Sequence, residues 1–204
     1  VIKRRLASPA PPPPPALPTP AAPPDADVLQ DRRAWAGPLV IELSYPALDG
    51  ALARTLDAIV SALTQFPLLN AAVSPDGLTV FDHIDLAVTL PDQRTVCIRR
   101  AELLDAGALA HHLREGEQST GKRATTAITV VGTPGILFAE PVPRPPLVTS
   151  LSIGCPAKAV VVDEGSDGLA IRVRGSLTLT WNAAAADAAY ARAFLDRVAE
   201  STRA

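Results

Sequence analysis

The sequence predicts an α+β fold in one domain behind a proline-rich tail. Three observations carry this. Three stretches set apolar residues at helical spacing, and between them lie short runs of strand character, several with no helix in between. The chain has 204 residues, 48% of them hydrophobic, and a positive mean hydropathy, which suffices for one substantial core. Residues 8–24, SPAPPPPPALPTPAAPP, have nothing to bury and favour polyproline II. The expected division is therefore a tail over residues 1–34 and a domain over 35–204. An SH3-type ligand is the other reading of the tail; an Ala/Pro spacer is the simpler one.

The elements follow in order. Residues 39–45, LVIELSY, read as a strand that Pro46 stops. Asp49-Gly50 opens a helix with Leu52, Leu56, Ile59, Val60 and Leu63 on one stripe, ending before Pro67. Residues 74–77, SPDG, form a turn. Residues 78–81, 84–90 and 95–99 read as strands. Residues 102–115 read as a helix with Leu103, Leu109 and Leu113 inward. Residues 163–168 make a hairpin turn. Residues 172–181 then alternate: Val173, Leu177, Leu179 and Trp181 take one face, and Arg172, Arg174, Ser176, Thr178 and Thr180 the other. A closing helix carries Tyr190, Ala191, Phe194, Leu195 and Val198 on one stripe.

Composition excludes several functions. The net charge is −2 and the only basic cluster is Lys3-Arg4-Arg5, so nucleic-acid binding has no electrostatic support. No uncharged apolar run reaches the ~18 residues of a membrane span. The basic start is followed by proline rather than an apolar run, so no signal peptide is expected and the cytoplasm is the expected location. Cys97 and Cys155 lack metal-ligand spacing and read as buried thiols in a reducing compartment, a nucleophile being the alternative. Three histidines, two of them adjacent, make a zinc site unexpected. Arginine, alanine and proline far outnumber lysine, a bias of GC-rich bacterial genomes.

The stretch 179–195, LTWNAAAADAAYARAFL, resembles the active-site segment of the 2-oxo acid dehydrogenase acyltransferases (E2) and of chloramphenicol acetyltransferase. There a late strand enters a loop reading aromatic-Asp-His-Arg-x-x-Asp-Gly and then the last helix. Without a gap, Trp181 takes the aromatic place, Asn182 the first Asp, Ala183 the histidine, Ala184 the arginine, Asp187 the second Asp and Ala188 the glycine. Other pieces fall in order. Residues 66–71, FPLLNA, resemble the family's Pro-x-Leu/Val-Asn-Ala. Residues 126–135 resemble its Thr-x-Ser-Asn-Leu-Gly-x-x-Gly, with Thr129 at the hydroxyl residue. Residues 145–154 resemble its Pro-x-x-Ala-Ile-Leu-x-Val-Gly strand, and residues 158–162 its Lys-Pro-Val-Val.

The resemblance implies a two-layer sandwich of the chloramphenicol acetyltransferase type, a mixed sheet with helices on one face, and a homotrimer with its active site between subunits. It also implies a hairpin at residues 78–90. E2 chains use Ala/Pro linkers, but with seven residues ahead of this one no lipoyl domain is expected before it. The family's first helix and its Pro-His before the first strand are absent. The regions before Asn70 and between Glu115 and Thr126 are shortened, so its substrate contacts cannot be carried over.

Acyl transfer needs a base for the nucleophile's proton and a donor for the oxyanion. In the family the histidine is the base and a Ser or Thr hydroxyl the donor. Here Ala183 accepts no proton, which alone costs on the order of 10²–10⁴ in rate. No catalytic set is therefore assigned; Thr129, Asp187 and Asn182 are the residual candidates. Thr129 is either a hydrogen-bond donor or an ordinary strand threonine, and Asp187 reads as the cap of the last helix. His83, on a strand between Asp82 and Asp85, makes a poor base, and His111 and His112 read as a solvated helical face.

Two functions follow. One is a pseudo-acyltransferase acting as scaffold, partner subunit or binding protein for a small molecule or acyl carrier, as a homotrimer or with an active paralogue. The other is an enzyme using the same inter-subunit pocket, either on a CoA, lipoyl or carrier-protein thioester or in a repurposed biosynthetic reaction. No cofactor is required in the first; a CoA or pantetheine-type thioester is the ligand class the resemblance implies.

Overall fold

A computed structural model of the protein describes residues 33–42, 48–116, 118–120, 123–136, 138–141, 144–163 and 168–203. Most of the tail, the end of the first expected strand at 43–45 and the hairpin turn at 164–167 lie outside these residues. The elements are β1 (Arg33–Glu42), α1 (Leu48–Gln65), β2 (Ala71–Ser74), β3 (Gly77–Val80), β4 (Leu86–Thr89), β5 (Thr95–Ile98), α2 (Ala106–Glu115), β6 (Thr126–Val130), β7 (Thr149–Ile153), β8 (Ala157–Asp163), β9 (Gly168–Asn182) and α3 (Ala188–Arg203). Turns of 3₁₀ helix precede β2 at Pro67–Leu69 and α2 at Ala101–Leu103.

The main sheet runs β1-β9-β7-β6-β4-β5, with β8 added to β9. It is mixed: β4, β6 and β7 are parallel, and the other pairings are antiparallel. The three helices share one face of it. Leu86, Val88, Val96, Ile98, Ile128, Leu151, Ile153, Leu177, Leu179 and Trp181 form one buried cluster with Leu56, Ile59 and Leu63 of α1, Leu109 and Leu113 of α2, and Tyr190, Phe194 and Leu195 of α3. β4, β5, β6, β7 and β9 send residues into that layer, so the sandwich has two layers and one core. Phe66, just past α1, ties the layer to α3 by edge contacts with Tyr190 at 5.1 Å and Phe194 at 5.9 Å between ring centroids.

Three expectations are corrected. The strands at 78–81 and 84–90 do not pair with each other. β3 folds back on β2 across the turn at 74–77, where Gly77 adopts a φ of 127°, and β4 joins the main sheet. The helix expected from residue 102 begins at Ala106, because the Asp105 carboxylate accepts the Ala108 N–H at 2.7 Å and so caps it there. Leu103 consequently sits in the 3₁₀ turn and is 70% exposed. At the other end of α2, Arg94 reaches the Leu113 and Gly116 carbonyls at 3.1 and 3.2 Å and closes the helix. Cys97 and Cys155 are half-buried free thiols rather than core residues. No helix among the described residues is long and apolar enough to cross a membrane.

Candidate functional site

β9 delivers the loop at residues 181–187, and five hydrogen bonds fix its shape. Trp181 is 3% exposed, and its indole Nε1–H donates to the Ala186 carbonyl at 2.8 Å, so the end of the loop is pinned to the core from below. The Asn182 N–H donates to the Val148 carbonyl at 2.9 Å. The Asn182 side-chain oxygen accepts the Ala184 N–H at 2.9 Å, and its carbonyl accepts the Ala185 N–H at 3.0 Å, closing a tight turn. Asp187 accepts the Tyr190 N–H at 2.7 Å, which makes it the N-cap of α3. Ala185 and Ala186 are buried; Ala183 and Ala184 are half-buried. The turn is thus built and held, yet residues 183–186 project only methyl groups. Its one carboxylate, Asp187, is engaged in the cap.

Thr129 lies at the far end of the sheet from this loop. It is exposed on β6, on the face away from the helices, since its neighbour Ile128 enters the core. Its register partners are Thr89 on β4 and Ser152 on β7, and Ser152 in turn pairs with Thr178 on β9. Ala183 is five residues beyond Thr178. Within one chain the two positions are therefore separated by roughly 16 Å along the strands and two strand spacings of about 4.8 Å across them. The chain does not bring Thr129 and Ala183 together, whereas Asn182, Ala183 and Asp187 share one loop.

The register also reveals a feature that element-by-element reading misses. Thr95, Thr89, Thr129, Ser152 and Thr178 form one row of hydroxyls across β5, β4, β6, β7 and β9. Thr89 and Thr95 bond each other at 3.0 Å. The hydroxyls of Ser150, Ser152, Thr178 and Thr180, two cross-strand pairs on this face, are buried without a partner. The signal in the sequence is the common phase of Ser and Thr in these short strands, visible only once the pairings are known.

The remaining candidates are scattered. His83 lies outside any strand, with its Nδ1 at 2.7 Å from Asp82 and its Nε2 at 3.9 Å from Asp85. The hydrogen bond from His83 holds the exposed Asp82 carboxyl below its ordinary pKa. His111 and His112 sit on the last turns of α2. Cys97 is on β5; burial, then the nearby Asp85 charge, push its thiol above the ordinary pKa, the opposite of nucleophile activation. Among the described residues no three His, Cys, Asp or Glu side chains are grouped to hold a metal ion.

The model of the 2-oxoacid dehydrogenases acyltransferase family (catalytic domain) matches residues 51–202. Among solved structures, a probable dihydrolipoamide acetyltransferase from Listeria monocytogenes 4b F2365 superposes with a TM-score of 0.73 at 17% identity, covering 86% of each chain. The cubic core of a pyruvate dehydrogenase multienzyme complex gives 0.66 at 16% identity, over 86% of this chain and 84% of that one. A chloramphenicol acetyltransferase gives 0.59 at 14% identity, over 86% and 90%. At these identities the likeness is one of fold, and the fold is that of the chloramphenicol acetyltransferase type. No curated protein matches the chain in sequence.

Proposed function

The chain belongs to the 2-oxoacid dehydrogenase acyltransferase (catalytic domain) family, and on that premise we propose that it is a member that no longer transfers acyl groups. Its fold then serves as a scaffold, a partner subunit, or a binding protein for a small molecule or acyl carrier. The observation that carries this reading is Ala183. The turn around it is fully braced by Trp181, Asn182 and Asp187, so the frame of the loop persists while its proton acceptor is a methyl group. Loss of function by decay of the fold would have left the frame irregular; here the frame is kept and the chemistry is removed.

Assembly enters the proposal through geometry. Thr129 and Ala183 are too far apart in one chain to act on one bond, so a pocket using both positions draws on two chains. That supports a homotrimer with sites between subunits, or a heteromer with an active paralogue. One structural relative forms the cubic core of a multienzyme complex. A CoA or pantetheine-type thioester is the ligand class, and the cytoplasm the location.

The test is acyl transfer from acetyl-CoA and from a carrier thioester, comparing wild type with Ala183→His. Wild type is expected at background and the variant above it. Turnover by wild type at rates ordinary for the family would overturn the proposal. It would favour the second reading, an enzyme working in the same inter-subunit pocket, for which the exposed Thr129 hydroxyl is the supporting observation.

A further inference from the structure

The face of the main sheet turned from the helices carries short side chains where β7 and β9 meet. Ser150 stands opposite Thr180 there, and Ser152 opposite Thr178. Ala127 and Ala87 continue the first pair's row onto β6 and β4, and Thr129 continues the second. Thr180 is 0% exposed, Ser152 1%, and Ser150 and Thr178 2% each. None of the four hydroxyls has a hydrogen-bond partner within the chain, and this is the largest gathering of such atoms among the described residues. A buried hydroxyl without a bond is rare in folded proteins, because nothing offsets its lost hydration. Four on one patch call for partners that are not protein groups of this chain.

We infer that the four hydroxyls hold a file of ordered water molecules that opens to solvent at Thr129. Three observations select water. The first is spacing. Opposed side chains on neighbouring strands stand about 5 Å apart at Cβ, and the two oxygens of each pair do not bond each other. One water, about 2.8 Å from each oxygen, bridges such a gap. The second is charge. Neither row carries a charged side chain from β4 to β9, so the strip suits a neutral occupant that donates and accepts as the hydroxyls do. The third is depth. The methyl groups of Ala87 and Ala127 fill less of the layer above the sheet than longer side chains would, and the exposed Thr129 gives the strip an entry. The file goes beyond the proposed function and does not depend on it, since it is the same whether or not the chain transfers acyl groups.

The experiment is a crystal structure of the full chain at a resolution that shows ordered water. A water within hydrogen-bond distance of both oxygens is expected in each cross-strand pair. Protein groups on those oxygens, from the tail or from a second copy, overturn the inference, and so does a dry strip. Stability in solution gives a second reading that needs no crystal. Thr178→Val and Thr180→Val keep the shape of the side chain and remove the hydroxyl. A hydroxyl bonded to water loses that bond, so each variant is expected to unfold at a lower urea midpoint than wild type with an unchanged slope. A midpoint equal to or above that of wild type is the mark of a hydroxyl that was dry, and overturns the file.

Discussion

The two ends of β9 make opposite arrangements with their surroundings. At the C-terminal end every group that shapes the loop finds its partner inside the chain: the Trp181 indole on Ala186, the Asn182 amide oxygen on Ala184, the Asp187 carboxylate on Tyr190. At the N-terminal end the same strand holds Leu169 and Ile171 out in solvent beside Val160 and Val162. One end satisfies its groups within the chain; the other leaves four large apolar side chains in solvent. The difference separates two kinds of constraint. The loop is tied to the fold, because α3 starts from it at the Asp187 cap. The hairpin buries Val161 on one face and exposes Val160, Val162, Leu169 and Ile171 on the other, so its apolar pattern is only half used among the described residues.

The largest expected effect strikes the silence of the loop. Because the turn is already braced, Ala183→His places an imidazole on a fixed backbone, and a general base is worth on the order of 10²–10⁴ in rate. A gain in thioester turnover within that range shows that the rest of the pocket survives; no gain shows that the loss extends beyond one side chain. Next comes Trp181→Phe, which strips the donor from the buried Ala186 carbonyl. Leaving that acceptor unpaired costs about 1–3 kcal/mol, read as a lower urea midpoint with an unchanged slope. Asp187→Ala removes the cap of α3 and is expected to cost about 1 kcal/mol, while Asp187→Asn retains most of it. If Asp187→Asn were as damaging as alanine, the carboxylate would have a role other than capping.

Much of this architecture was legible because local signals and tertiary structure agreed. The clean alternation from Arg172 to Trp181 and the stripe of Tyr190, Phe194 and Leu195 describe β9 and α3 nearly as they are, and Asp187 is the cap its position suggests. The main miss has a plain origin: pairing is not local. The turn at 74–77 was readable, but nothing in residues 71–90 says that β3 pairs back on β2 while β4 crosses to the main sheet, since both choices use the same short apolar runs. The Leu103 error arose because its apolar spacing fits a helix, and the Asp105 cap that excludes it is a single side-chain bond. For the site, the run of alanines at 183–186 and the capping role of Asp187 were readable from residue types alone. The separation of Thr129 from Ala183 was not, because it follows from register across three strands.

The smallest effect provides the sharpest discrimination between the ends of β9. Leu169→Ser deletes an apolar side chain that is 78% exposed, so in a dilute single chain it changes stability by less than about 0.5 kcal/mol. An assembled chain behaves differently, because binding a second copy adds a stabilisation that grows with protein concentration. If the hairpin lies in a contact between subunits of the proposed assembly, wild type gains in urea midpoint as concentration rises and Leu169→Ser gains less, so that the two diverge only at high concentration. The Trp181→Phe loss should be the same at every concentration, since its broken bond lies within one chain. Parallel behaviour of Leu169→Ser and wild type across a hundredfold range, on the order of what a 3 kcal/mol linkage needs to show itself, would place the hairpin with the loop as a self-sufficient element.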